Sequence, residues 1–519
     1  MRGAIAAGHP LTAEAGARIL AEGGNAVDAC VAAAFASWVT ESPLTGPGAG
    51  GFMLVHRARD RTDRLLDFFV AVPGLGRERR RPGKMEAIDI DFDRESTQVF
   101  RVGAASCAVP GTVAGLEAAY RSFGTVPWPR LFEPALELAR DGVELTDAQA
   151  YLHRILDLIL RHTAEGRRIY GRRTRLVAGD RLVLDDLGGT LEELARKGAA
   201  AIYRGSLGRR LVSHQRATGG AITAADLAAY RVVRRRPVRA AFRGHEFVSN
   251  PPPSSGGVLI GYGLRLLDTL GPVGAQGTAD VVARLVEVMR EQDRARSGRF
   301  ARDLQRGGLA RRLYDEANVQ AAAQRVRAGL AGAAETGERG TTHISVVDAS
   351  GNAASLTSST GSGSGVIVPG TGINLNNMLG EHDLNPAGAE ARPGSRLTSM
   401  MAPSLVIRRG RPRLVVGSAG SVRLRGAILQ AVVNVIDHGL DVEAAINAPR
   451  VHLDEPHVHC EGGMEPAEVD RLEERGYDVV RWRRRNLYFG GVSAVEVGAR
   501  GSLAAAGDPR RGGHGIVVG

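Results

Sequence analysis

The chain has 519 residues, 43% hydrophobic and 24% charged, an ordinary globular composition with room for two or three average domains or one large α/β domain. Its formal charge of +11 rests on scattered arginines. The clusters at Arg79-Arg80-Arg81, Arg234-Arg235-Arg236 and Arg483-Arg484-Arg485 read as solvated faces, without the interleaved aromatics of a single-strand nucleic-acid binder. No run approaches the ~20 apolar residues of a membrane span, so neither nucleic acid nor membrane is expected as a partner.

Cys30, Cys107 and Cys460 show neither metal-ligand spacing nor a disulfide framework and read as free thiols. Met1-Arg2-Gly3-Ala4 leads into helix-like sequence without a signal-type apolar stretch, so a soluble, cytoplasmic protein is expected unless a leader has been removed.

In chain order, residues 9–40 read as two helices. Thr12 is the expected cap of the first, Glu22-Gly23-Gly24-Asn25 the break, and Ala26 to Val39 a second, nearly all-apolar and therefore buried helix. Thr45 to Gly51 is glycine-rich and runs into the strand Phe52 to His56. Lacking a following Gly-Lys-Ser/Thr and helix, it is no P-loop, and close backbone approach is the expectation. Residues 110–235 and 258–330 are mostly helical, separated by the rigid turn Pro251 to Gly257. Ala321 to Glu338 reads as an exposed loop. Strands follow at Thr342 to Val347, Ala353 to Ser359, Leu405 to Arg408 and Leu414 to Val416, with helices at Arg425 to Asp437, Val442 to Asn447 and Glu465 to Arg475. A helix-rich front followed by paired strands and helices suggests stacked helix and sheet layers.

The junction Gly340-Thr341-Thr342-His343 carries the chemistry. A threonine hydroxyl is a weak nucleophile until a base stands beside it, and a threonine at a chain terminus brings its own α-amine, which titrates near ~8. A cut before Thr341 would convert an inert strand residue into an activated nucleophile. Alone, the same residues are simply a strand start.

The chain resembles the γ-glutamyltransferase family of N-terminal-nucleophile hydrolases over nearly its whole length. The resemblance rests on Glu22 to Ala29, Gly50 to Val55, Val109 to Gly115, Asn250 to Gly257, Thr341-Thr342-His343 with Ser345 to Asp348, and Asn447 to Arg450, in family order. It implies an α/β (α+β) fold of four-layer αββα type and self-cleavage at Gly340–Thr341. The products would be a large subunit 1–340 and a small subunit 341–519, associated in one domain. It further implies a small-molecule amide substrate, no metal and no cofactor. The Thr341 hydroxyl would attack the preceding carbonyl, and afterwards a substrate carbonyl, forming an acyl ester passed to water or an amine. Gly420 and Ser421 match the paired oxyanion donors, each worth ~3 kcal/mol in other enzymes. Ser359 matches a hydroxyl beside the nucleophile, Thr398 and Ser399 the pair that holds the substrate carboxylate, and Glu381 the acid for its α-amino group. Strand or turn hydroxyls, and an exposed loop acid, are the plain alternatives for these four.

Two departures bear on the substrate. Phe69 stands where the resemblance calls for a carboxylate-clamping arginine, and a benzyl ring cannot replace a bidentate guanidinium. Met378 replaces a polar residue, and the loop Gly361 to Gly365 looks short and leaves no counterpart for a substrate-contacting asparagine. An acylase-like activity on another acyl group, or carbon–carbon cleavage, is therefore the alternative to γ-glutamyl transfer, and a silent scaffold the second. His452, His457 and His459 suggest a metal by spacing, but a surface strand and turn is the expectation.

Overall fold

The computed structural model describes residues 2–76, 82–92, 96–272, 274–329, 341–381, 392–420 and 423–519. Two antiparallel sheets dominate it. In spatial order the first runs His514–Val518, Gly3–Ala7, Thr342–Asp348, Ala353–Ser359, Gly50–Arg57, Thr62–Phe68 and Val233–Arg235. The second runs Leu503–Gly507, Gly491–Val497, Arg411–Ala419, Ser404–Arg408, His245–Ser249 and Val238–Phe242.

The period of two along each strand assigns the layers. Ile5, Ala7, Met53, Val55, Ile344, Val346, Ala354 and Leu356 face helices that include Pro10–Ala21, Ala26–Thr40 and Thr112–Phe123. Their neighbours Ala4, Ala6, Phe52, Leu54, Val347 and Ala353 face the opposite way and meet Leu405, Val415 and Val495 of the second sheet. Leu414, Val416, Val492 and Ala494 then face Gly256–Leu270 and Arg423–Ile436. Both faces of both sheets are thus covered, which gives the four-layer αββα sandwich expected from the resemblance. Each fully buried Val, Leu or Phe contributes ~1.5–3 kcal/mol, so these interlayer clusters dominate the fold's stability.

The layer between the sheets is polar toward one end. His343 bonds Thr357 Oγ1 at 2.8 Å and Ser345 Oγ at 3.0 Å, and Ser345 Oγ donates to Ser493 O at 3.1 Å. Ser404 N donates to Ser355 Oγ at 3.1 Å, and Ser404 Oγ to Ser249 Oγ at 2.9 Å. Every side chain named here is buried, so mutual bonding replaces lost water.

Several expectations change. His9, not Thr12, caps the first helix, its Nδ1 accepting from Leu11 N at 3.2 Å, while Thr12 lies inside the helix. The sequence after Ala4 reads as helix-like, but Ile5 to Ala7 belong to the strand Gly3–Ala7 between two others, where the ladder outweighs alanine's helix preference. Residues 316–329 are a helix with Val319, Ala322, Ala323 and Val326 inward, so 321–329 are not the expected loop, and the remainder of that stretch, 330–338, lies outside the described residues. His452 and His459 are buried partners across Val451–Asp454 and His457–Cys460, and His459 Nδ1 accepts from Trp482 Nε1 at 3.0 Å. These two belong to a packed aromatic group, whereas His457 is exposed beside Asp478, in keeping with the surface-strand expectation. The three cysteines are free and buried, as expected.

Candidate active site around Thr341

Thr341 immediately precedes the strand Thr342–Asp348 inside the first sheet. Thr342 pairs with Ser358, and Ser359 with Gly50, so one further step of the register brings Thr341 level with Ser359. Across the layer His343 abuts Gly417, while Val347 shares a cluster with Val415. The two strands therefore run in opposite senses, and Thr341 comes level with Ala419 and Gly420, where the strand Arg411–Ala419 ends. Gly420 has φ +122°, a backbone conformation that a side chain would strain. Gly340 and Ser421 lie outside the described residues.

Successive strand residues point to opposite faces, so the Thr342 hydroxyl enters the helix layer. There it donates to Glu41 Oε2, at the end of the buried helix Ala26–Thr40. Thr12 Oγ1 donates to Glu41 Oε1 at 3.3 Å. Burial pushes the Glu41 carboxyl up to about 6, opposed by those two hydroxyls and by Arg511. Arg511 Nη1 donates to Thr341 O at 3.4 Å, and burial lowers its guanidinium to about 10. The sequence pointed to neither Glu41 nor Arg511. The available signal for Glu41 was a carboxylate closing a nearly all-apolar helix.

Arg511 is carried by a firmly held turn. Asp508 accepts from Val492 N at 2.8 Å, from Arg450 Nη2 at 2.6 Å and from Arg510 Nη1 at 3.1 Å, and Arg510 Nε donates to Glu461 at 2.7 Å. Burial alone would raise the Asp508 carboxyl, but Arg450 and Arg510 hold it below the ordinary range. The Arg450 guanidinium is lowered, chiefly by burial and secondly by Arg510.

Ser359 Oγ accepts from Gly361 N at 2.7 Å. A side chain at Gly361 would fall 2.1 Å from Asn377 Oδ1 and 2.5 Å from Glu381 Oε1, so Glu381 reaches the same turn. Glu381 is buried, which removes the exposed-acid alternative. Asn377 pins the short glycine loop, its Oδ1 accepting from Ser362 N at 3.0 Å and its Nδ2 donating to Ser362 Oγ at 2.7 Å.

Residues 395–399 run beside 70–72: Val72 N donates to Ser395 O at 2.9 Å and Leu397 N to Val70 O at 3.2 Å. Val70 in turn sits against Gly50, the partner of Ser359, so Thr398 and Ser399 approach the same end of the sheet. Ser399 Oγ accepts from Met401 N at 3.0 Å, and its carbonyl from Ser255 N at 2.7 Å.

Phe69 is 1% exposed, stacks on Phe52 at 5.4 Å, and shares an apolar cluster with Met378, Leu397 and Met401. A nearby arginine, Arg396, is committed to Asp67 at 3.1 Å and lies 4.5 Å above the Tyr230 ring. The glycine-rich loop is explained by contact. A Cβ at Gly48 would fall 2.1 Å from Asn374 O, and one at Gly51 2.3 Å from Thr357 O. Among the described residues no group of three or more His, Cys, Asp or Glu is placed to hold a metal ion.

A threonine entering an inner strand of an αββα sandwich, facing a tight turn on the second sheet, is the arrangement of the N-terminal-nucleophile hydrolases. Residues 12–518 match the family model "Gamma-glutamyltranspeptidase". The acylase ACY 1 proenzyme of Pseudomonas sp. (strain SE83) is 33% identical over 97% of this chain and 91% of its own. The glutathione hydrolase proenzyme of Escherichia coli (strain K12) is 32% identical over 98% and 90%. Among solved structures, cephalosporin acylase from Bacillus halodurans superimposes with a TM-score of 0.86, covering 99% of this chain and 95% of that one at 24% identity, a likeness of fold. The chain belongs to the gamma-glutamyltranspeptidase family and is an enzyme of this hydrolase type.

Proposed function

We propose that the chain cuts itself between Gly340 and Thr341, and that residues 1–340 and 341–519 stay together in the one sandwich. The freed α-amine of Thr341 then takes the proton as its hydroxyl attacks a substrate amide, the amine component leaves protonated, and the acyl-Thr341 ester is resolved by water or another amine. Gly420 and Ser421 supply backbone donors to the oxyanion, and Ser359 supports the nucleophile. Thr398, Ser399 and Glu381 bind the acyl portion. The single observation that supports this reading is the register that sets Thr341 level with Ser359 in its own sheet, two residues before the contact of His343 with Gly417 of the second sheet. Two relatives named as proenzymes add support.

The preferred donor is a γ-glutamyl or related amide. A specific observation favours a second reading, an acylase on a donor without the glutamate headgroup. Phe69 and Met378 lie in one apolar cluster beside Leu397, and Arg396 is held by Asp67.

Denaturing electrophoresis and mass spectrometry of the purified chain test the cut. Fragments ending at Gly340 and beginning at Thr341 are expected, with Thr341→Ala leaving one intact chain; a wild-type chain that stays whole under all conditions overturns the proposal. Turnover of a γ-glutamyl anilide at rates ordinary for such enzymes would reject the acylase reading.

A further inference from the structure

We infer that Glu41 is a positioning residue for Thr341: through the Thr342 hydroxyl and Arg511 it fixes the start of the strand Thr342–Asp348, both for the backbone cut and for acyl transfer. The inference rests on the reading of Gly340–Thr341 as the cut site and adds a group beyond those assigned to the cut and to the substrate.

A strand whose first residue becomes a chain end loses the restraint of the preceding peptide, and chain ends fray unless tied down. A displacement of 1 Å at a reacting atom can cost ~100-fold in rate. Thr341 directs its side chain between the sheets, and its carbonyl and the next residue are held as well. Arg511 Nη1 reaches Thr341 O, and Glu41 Oε2 accepts the Thr342 hydroxyl.

Burying a carboxylate is unfavourable unless it is bonded and its charge answered. Glu41 closes a helix whose fifteen residues are all buried, and it adjoins a cavity that His9, Thr40, Gln149, His153 and Arg511 also line. Hydroxyls come from Thr12 on the first helix and Thr342 on the strand. The charged or titratable groups on the neighbouring elements are Arg511, His9 and His153. Burial lowers both histidines to about 4, so they are neutral near pH 7. Arg511, which lines the same cavity, is the cation whose charge favours the Glu41 carboxylate, though Asp508 acts on it more strongly, and the same guanidinium holds the nucleophile's carbonyl. Protonating Glu41 removes that attraction and weakens the acceptor that holds Thr342.

The test uses the full-length chain with Glu41→Gln, Glu41→Ala, Thr342→Val and the Glu41→Ala/Thr342→Val pair. Self-cleavage is followed between pH 5 and pH 8, and kcat and KM are measured on cleaved enzyme. Glu41→Ala and Thr342→Val should each slow cleavage and lower kcat by ~10- to 100-fold, with KM changed less than about twofold, as expected for misplacement. The pair should be no slower than the worse single variant. Wild-type cleavage should accelerate as pH rises through about 6, a step that Glu41→Gln lacks. Should Glu41→Ala fail to fold, Glu41→Gln carries the test, because a merely structural carboxyl would not remove a step in the pH profile. A wild type that cleaves, beside variants with its rates and profile, overturns the role of Glu41 alone. A wild type that never cleaves overturns the cut-site reading and this inference with it.

Discussion

His343 packs so closely on Gly417 that a methyl group there would fall 2.2 Å from its Cε1 and 2.3 Å from its Nδ1. The ring is fully buried and spans from its own strand to Thr357 on the next. The pair therefore fixes both the spacing of the two sheets beside Thr341 and the level at which Gly420 faces it.

Gly417→Ala should destabilise the protein by about 1–3 kcal/mol, the usual cost of overpacking a rigid core site. Chemical denaturation should show a lower midpoint with an unchanged slope. A midpoint equal to wild type would mean that the sheets can separate locally at no cost.

The same histidine makes stability fall with acid. Burial pushes its imidazole down to about 3, against ~6.5 in the unfolded chain. Its native-state contribution is therefore complete above pH 6.5 and is lost as pH falls toward 3, about 2 kcal/mol by pH 5. Glu41 acts in the opposite sense: raised to about 6, it contributes below its unfolded value near 4.5, and that contribution fades as pH rises through 6. Melting curves of wild type and His343→Gln between pH 4 and pH 8 should differ most near neutrality and converge in acid.

Arg450→Met should leave Asp508 buried with one of its two cations gone and cost about 3–5 kcal/mol. Adding Asp508→Asn should recover part of this, since the stranded charge is then removed. A double-mutant cycle from denaturation midpoints checks the coupling, and strict additivity would show the pair to be independent.

Phe69→Arg should lower the melting temperature, because it places a cation in the cluster of Phe52, Met378 and Leu397. If the acylase reading holds, it should also raise kcat/KM for a γ-glutamyl anilide at least tenfold by adding a partner for the donor's carboxylate. Steady-state kinetics beside a melting curve separate the two effects. No gain in kcat/KM would remove Phe69 as the determinant.

The inner strands were legible because their turns are marked. Asp348 to Gly351 separates two runs whose bounds the structure reproduces almost residue for residue. The helix Val442–Asn447 was equally plain. Residues 3–7 were not, since Gly-Ala-Ile-Ala-Ala has no strand preference of its own and is ordered by neighbours more than three hundred residues away. The candidate site divides in the same way. Thr341, Ser359, Thr398 and Ser399 stand in motifs, whereas Glu41 and Arg511 meet the start of the strand through contacts 301 and 170 residues apart, which no local pattern records.

The strand orders carry one last consequence. In the first sheet Gly3–Ala7 lies between His514–Val518 and Thr342–Asp348, and in the second the strands before Thr341 continue a ladder begun by those after it. A chain severed before Thr341 would be two interwoven polypeptides, neither owning a complete sheet. They could be parted only by unfolding, and separately made halves should fail to assemble by simple mixing. Severing the backbone at this point would liberate a terminus without liberating a subunit.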